Sequence, residues 1–94
     1  MMEYSELAEK AGQYLPEEKM AMVRSAYEFA ASAHEGQMRK SGGPFIEHPL
    51  EIAGILADLQ MDAAALTAAL LHDVPEDSKI SLDTVREKFG LPDA

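Results

Sequence analysis

The chain has 94 residues, no cysteine, and 17 acidic against 8 basic residues, which gives a net charge of -9. This length provides for one small domain, and the missing cysteines exclude disulfides and thiolate metal sites. The negative charge argues against nonspecific binding to nucleic acid or to anionic membranes. A mean hydropathy of -0.19, without a membrane-length apolar run or a basic and apolar leader, is typical of a soluble cytoplasmic domain.

Apolar residues recur at helical spacing, which predicts an all-α fold with a leader helix at about 4–14 and a core at 16–90. Pro16 stands at the start of the second helix, with two glutamates in the first turn, and this helix is expected to end near Gly36. Residues 37–48 have no helical period and are rich in glycine. They are predicted to form a loop of about a dozen residues, and loops of this length are often functional.

Three further helices are predicted after this loop. The first covers residues 49–59 and has a proline in its first position. Asp62 is the expected N-cap of a central apolar helix that runs to about Val74. Ser81 is the expected cap of a last helix at 82–89.

A histidine and an aspartate, His72 and Asp73, directly follow the apolar run at 63–71. Such groups are seldom placed against a core unless they are paired or bind a metal. His48, which precedes Pro49 and is therefore predicted to be extended, lies at the start of the preceding helix. Antiparallel packing of the two helices would bring all three side chains together as metal ligands. The structural alternatives are a histidine favoured by a helix dipole and a solvated polar residue at a helix start.

Two other groups of polar residues suit the chemistry of a hydrolase. Glu76 and Asp77 would hold and activate water beside a cation, or they would be ordinary polar loop residues. Arg39 and Lys40, the only adjacent basic pair, would contact a base and a phosphate, or they would belong to a solvated loop. His34 follows the apolar spacing of its helix and is interpreted as structural.

Four stretches taken together resemble the N-terminal hydrolase domain of the RelA/SpoT alarmone enzymes, a branch of the HD-domain metal-dependent phosphohydrolases. These stretches are Ala26–Ala30, Ala33–Gly42, Pro44–Leu50 and Ala68–Asp77. They follow the family's order and cover most of residues 16–90, which is far more specific than a single His-Asp pair. The resemblance implies an HD-domain-like helical bundle, with residues 1–94 forming its N-terminal part.

The resemblance also implies a manganese-dependent enzyme that removes the 3'-pyrophosphate from guanosine tetra- or pentaphosphate. The implied parent is a bifunctional GTP pyrophosphokinase and guanosine-3',5'-bis(diphosphate) 3'-diphosphatase of the stringent response. The implied site residues are His48, His72 and Asp73 for the metal, Glu76 and Asp77 for the attacking water, and Arg39, Lys40 and Ser41 for the nucleotide.

In this family a fourth metal ligand, an aspartate, lies on a later helix that would fall beyond Ala94. The chain is therefore expected to be a hydrolase domain truncated at the C-terminus, with weak manganese binding and little turnover. Its apolar faces at 50–59 and 63–71 are expected to be partly exposed and to favour a homo-oligomer. Two alternatives remain open, namely a noncatalytic interaction or regulatory module and an HD phosphohydrolase for another nucleotide.

Overall fold

The computed structural model of the chain describes residues 3–38, 45–72 and 74. Within these ranges the chain forms four α-helices, which are α1 (Tyr4–Gly12), α2 (Glu17–Ala33), α3 (Glu47–Asp58) and α4 (Ala63–Leu71). The predicted all-α fold is confirmed, while the last predicted helix, at 82–89, lies outside the described residues. None of the helices in these ranges is both long enough and apolar enough to cross a bilayer.

The first two helices follow the predicted boundaries closely. α1 occupies the leader segment and buries Leu7 and Ala11 against the other helices. α2 begins directly after Pro16, whose ring removes an amide hydrogen that would have no partner at a helix start. The helix ends at Ala33, and Gly36 then takes a φ of +80°, which glycine adopts without a side-chain penalty.

α3 begins at Glu47, two residues earlier than expected, and this start corrects the conformation predicted for His48. A residue before proline usually avoids the helical region, yet His48 is helical. The preceding turn explains the difference, because the His48 amide donates to the Phe45 carbonyl at 3.2 Å. Pro49 then lies in the first turn, where an amide hydrogen would have no intrahelical partner.

A four-residue turn at 59–62 reverses the chain between α3 and α4. The amides of Gln60 and Met61 donate to the carbonyls of Ala57 and Leu56 at 2.9 and 3.0 Å. These two bonds define a Schellman motif, which satisfies the last carbonyls of α3. The motif requires a left-handed residue, and Gln60 fills that position with a φ of 55°.

α4 is the central helix, and it ends at Leu71 instead of continuing to about Val74. Asp62 caps its start as predicted, since the side chain accepts a first-turn amide at 2.9 Å. At the other end, Nδ1 of His72 lies 2.6 Å from the Ala69 carbonyl oxygen. The carbonyls of a last helical turn lack amide partners, and this imidazole satisfies one of them.

The core lies where α4 packs against both α2 and α3, while α1 packs against α2 and α3. Because α4 is apolar around its whole circumference, it has the pattern of a buried helix. The expected partial exposure of 63–71 is limited to alanines, since Ala64 and Ala68 are exposed and all three leucines are buried. For 50–59 the expectation is confirmed, since Ile55 and Leu59 are 61% and 67% exposed.

Contacts from the leader segment tie it to the turn between α3 and α4. Lys10 Nζ lies 2.8 Å from Asp58 Oδ1, and the Tyr14 hydroxyl donates to the Met61 carbonyl at 2.6 Å. The ion pair is partly exposed and contributes at most about 1 kcal/mol. Burial of Leu7 contributes more, roughly 1.5–3 kcal/mol. Apolar packing therefore holds α1 in place, and the polar contacts fix its orientation.

Candidate metal centre

The helical hairpin of α3 and α4 brings His48 and His72 to the same end of the bundle. His48 is the second residue of α3, and His72 directly follows α4. At a rise of about 1.5 Å per residue, His48 lies about 15 Å and His72 about 13.5 Å from the turn between the helices. The two histidines therefore lie at nearly the same distance from the turn. The nearly equal lengths of the two helices bring them to the same end of the hairpin.

The two imidazole rings have centroids 5.9 Å apart and planes inclined by 56°. A histidine nitrogen binds a tetrahedral cation such as zinc at about 2.0–2.1 Å, which places the ring centre roughly 3.2 Å from the ion. With a tetrahedral angle of about 109° at the ion, two rings that share it have centres roughly 5.2 Å apart, and roughly 6.4 Å is reached only when the two nitrogens lie on opposite sides of the ion. The observed separation falls between these two values. His48 and His72 therefore lie together as expected, and their role as ligands remains a prediction.

The orientation of His72 is set by its own helix. Nδ1 lies 2.6 Å from the Ala69 carbonyl oxygen, and this part of the imidazole ring is partly buried. A carbonyl oxygen only accepts hydrogen bonds, so Nδ1 carries the proton. Nε2 is then the nitrogen with a lone pair, which is the form in which a neutral imidazole binds a cation. Metal-binding histidines are commonly held by a hydrogen bond of this kind.

Glu47, which the sequence pattern gives no reason to single out, is a buried carboxylate beside His48. It is 8% exposed, and its Oε1 has no hydrogen-bond partner in the part of the chain that the structure describes. Burying a carboxylate oxygen costs folding free energy unless a donor or a cation compensates it. In the sequence, Glu47 is an ordinary acidic residue in a first helical turn. Glu47 is therefore a buried acidic group at the start of α3, one residue before His48 in the chain.

The other predicted site residues lie outside the described ranges. These residues are Arg39, Lys40, Ser41, Asp73, Glu76 and Asp77. Among the residues that the structure describes, no group of three histidine or acidic side chains could hold a metal ion. The structure therefore brings together two of the three predicted metal ligands, and these two imidazoles fit a divalent cation.

Comparison with known proteins identifies the family. A family model described as "HD domain" matches residues 26–92, which is most of the chain. The chain belongs to the HD domain family.

Within this family, the chain is similar to enzymes of guanosine tetraphosphate metabolism, and the predicted RelA/SpoT resemblance is confirmed. It is 48% identical over 77 residues to the bifunctional (p)ppGpp synthase/hydrolase SpoT of Escherichia coli (strain K12), covering 82% of this chain and 11% of that protein. It is 44% identical over 78 residues to a GTP pyrophosphokinase of Myxococcus xanthus, covering 83% of this chain and 10% of that protein. It is 40% identical over 90 residues to the GTP pyrophosphokinase rsh of Brucella melitensis biotype 1, covering 96% of this chain and 12% of that protein. The chain thus spans about a tenth of the length of the curated relatives it matches.

Proposed function

We propose that this chain forms part of the hydrolase site of a bifunctional (p)ppGpp synthase/hydrolase. At this site a manganese ion, held by His48, His72 and Asp73, assists removal of the 3'-pyrophosphate from guanosine tetra- or pentaphosphate. The observation that carries the proposal is the 5.9 Å approach of the two imidazole rings. The substrate class is supported by the relatives, one of which is a synthase and hydrolase of (p)ppGpp.

The orientation of His72 supports the assignment of this residue as a metal ligand. The Ala69 carbonyl accepts the Nδ1 proton and restrains rotation of the ring. The imidazole is therefore oriented before any ligand arrives, which reduces the conformational entropy lost on binding. A bound manganese ion would supply a Lewis acid beside the scissile 3'-phosphoester bond and would lower the pKa of water there.

The remaining roles follow from the chemistry of the side chains. Glu76 and Asp77 would position the attacking water and accept its proton. The planar guanidinium of Arg39, together with the hydroxyl of Ser41, would contact guanine through stacking and hydrogen bonds. Lys40 would place a positive charge near the phosphates of the nucleotide. This local positive charge is needed because the chain carries a net charge of -9.

Manganese titration of the 94-residue chain, followed by electron paramagnetic resonance, tests the metal assignment. His48→Gln and His72→Gln should each weaken manganese binding roughly tenfold or more, because each removes one donor nitrogen. Glu18→Gln is the matched control, since Glu18 is an exposed first-turn residue of α2 outside the proposed site. This variant should bind manganese as tightly as the wild type. If both histidine variants bind manganese as tightly as the wild type, the proposed metal site is wrong.

The nucleotide assignment is tested by comparing Arg39→Ala with Arg24→Ala. Arg24 is an exposed arginine of α2 that pairs with Glu28 at 3.0 Å and therefore controls for the loss of a surface positive charge. We expect Arg39→Ala alone to weaken binding of guanosine tetraphosphate, with manganese affinity nearly unchanged. Equal loss of both affinities would show that Arg39 supports the fold.

A substrate panel separates the alternatives. The full-length parent enzyme is incubated with manganese and guanosine tetraphosphate, GTP or ATP, and the release of pyrophosphate or phosphate is measured. Release from guanosine tetraphosphate alone, abolished by His72→Gln, is the expected result. Preference for another nucleotide would identify an HD phosphohydrolase of different specificity. The absence of both metal and nucleotide binding would favour a noncatalytic interaction module.

A further inference from the structure

His34 is a buried histidine that the proposed site does not use. It lies at the C-terminal end of α2, fourteen residues before His48, and is 3% exposed. In the sequence it looks like one more residue on the buried face of α2. Its contacts in the structure, however, lead toward the histidine pair.

The segment between α2 and α3 contains three residues that contact one another, namely His34, Gln37 and Phe45. We call this cluster the α2–α3 junction. Nδ1 of His34 lies 3.3 Å from Oε1 of Gln37, and the Gln37 amide donates to the His34 carbonyl at 2.9 Å. The Phe45 amide donates to the Gln37 carbonyl at 3.0 Å. The His34 and Phe45 rings complete the set, with centroids 4.6 Å apart and planes inclined by 32°.

The junction is connected directly to a proposed metal ligand. The Phe45 carbonyl accepts the His48 amide at 3.2 Å, which forms the first turn leading into α3. Any displacement of Phe45 therefore moves the backbone of His48 and the direction in which its ring points. The approach of His48 to His72 depends on that direction.

The hydrogen bonding of His34 argues against a role in packing alone. The Oε1 atom of Gln37 only accepts, so Nδ1 of His34 carries a proton in this hydrogen bond. Nε2 of His34 is buried and has no hydrogen-bond partner among the described residues. A buried polar atom without a partner opposes folding, whereas a phenylalanine would fill the same space without this cost. The feature that distinguishes histidine here is the Nδ1 donor that holds Gln37.

We infer that His34 is a positioning residue for the metal centre, because its contacts with Gln37 and Phe45 fix the start of α3 and thereby aim His48 at His72. The part of this inference that concerns the metal rests on the proposed function. The part that concerns the arrangement of the two imidazoles stands on the described contacts alone.

The test compares two substitutions in the 94-residue chain. His34→Phe keeps the aromatic contact with Phe45 but removes the donor to Gln37, whereas His34→Asn keeps an N–H donor near the position of Nδ1 and loses the ring. Three quantities are measured for each variant: thermal stability, the nuclear Overhauser effect between the His48 and His72 ring protons without metal, and manganese affinity. Gln37→Leu removes the same hydrogen bond by replacing its acceptor. The double variant His34→Phe/Gln37→Leu should therefore show no smaller Overhauser effect and no weaker manganese binding than either single variant.

We expect His34→Phe to be at least as stable as the wild type, yet to lose most of the His48–His72 Overhauser effect and to bind manganese roughly tenfold more weakly. His34→Asn should recover part of both signals. If His34→Phe preserves the Overhauser effect and the manganese affinity, or if stability alone changes in all variants, the positioning role is wrong. If the wild type binds no manganese, the proposed function fails, and the Overhauser effect still decides whether His34 aims His48.

Discussion

Gln60 occupies a backbone position that favours glycine, and replacing it should stabilise the hairpin that carries both histidines. Its φ of 55° lies in the left-handed region, where a side chain costs roughly 1–2 kcal/mol. Glycine avoids that cost but loses more backbone freedom on folding, by roughly 0.5–1 kcal/mol. The net expectation for Gln60→Gly is a gain of about 0.5–1 kcal/mol in the free energy of unfolding. For a domain of this size that corresponds to a rise of roughly 2–8 °C in Tm.

The assay is thermal and urea denaturation followed by circular dichroism, with Gln13→Gly as the matched control. Gln13 is also a glutamine that follows a helix, but its φ of -71° is right-handed, so glycine there only adds freedom to the unfolded chain. We therefore expect Gln13→Gly to lower the free energy of unfolding by about 0.5–1 kcal/mol. If Gln60→Gly destabilises the protein as much as Gln13→Gly does, the left-handed conformation of Gln60 is not a source of strain, and this reasoning is refuted.

Two further substitutions test polar groups in the same bundle. Thr67 is fully buried, and its hydroxyl has no partner within the described ranges, so Thr67→Val should raise the free energy of unfolding by roughly 1 kcal/mol in urea titrations. A decrease would mean that the hydroxyl is paired. Tyr14→Phe removes the hydrogen bond to Met61 and should cost about 1 kcal/mol near neutral pH. Burial, and then the negative charge of Asp62, raise the pKa of Tyr14 above its ordinary value of 10.0. Because the pKa is higher in the folded state, this contribution is complete below the unfolded-state pKa and is lost as pH rises through the folded-state pKa. The stability of Tyr14→Phe should therefore fall less steeply with alkaline pH than that of the wild type, and parallel curves would contradict the assignment.

The helices could be predicted from the sequence because their apolar residues recur at helical spacing and their starts carry ordinary signals. Pro16 and Asp62 mark two helix starts that the structure confirms, since proline and aspartate have physical preferences for those positions. The predicted convergence of His48 and His72 needed only two consecutive antiparallel helices of nearly equal length. In that respect the candidate site follows from the order and length of the elements.

Three features could not be obtained from local sequence rules. The preference of a residue before proline for extended backbone failed at His48, because hydrogen bonds to the preceding turn outweigh a local steric preference. The Schellman motif at Gln60 was missed because glycine is the usual signal for it and the sequence has none there. The burial of Glu47 depends on neighbouring helices, and nothing in its own sequence context indicates it.

The two ends of the α3–α4 hairpin have different physical characters. At the turn, the polar groups described above are satisfied: the last carbonyls of α3 by the Schellman motif, Met61 by Tyr14, and the start of α4 by Asp62. At the opposite end, the described residues include buried polar atoms without partners on His34 and Glu47.

A bundle stabilised at its turn can tolerate such atoms at the other end, since each costs roughly 1–3 kcal/mol and must be offset elsewhere. The contrast also explains how His48 and His72 are held near each other at that end of the hairpin. The separation of the two histidines is set by the turn at 59–62 and by the α2–α3 junction. Gln60→Gly keeps the left-handed backbone of the turn, so it should alter stability with little effect on manganese affinity. His34→Phe changes the α2–α3 junction, so it should lower manganese affinity with little loss of stability.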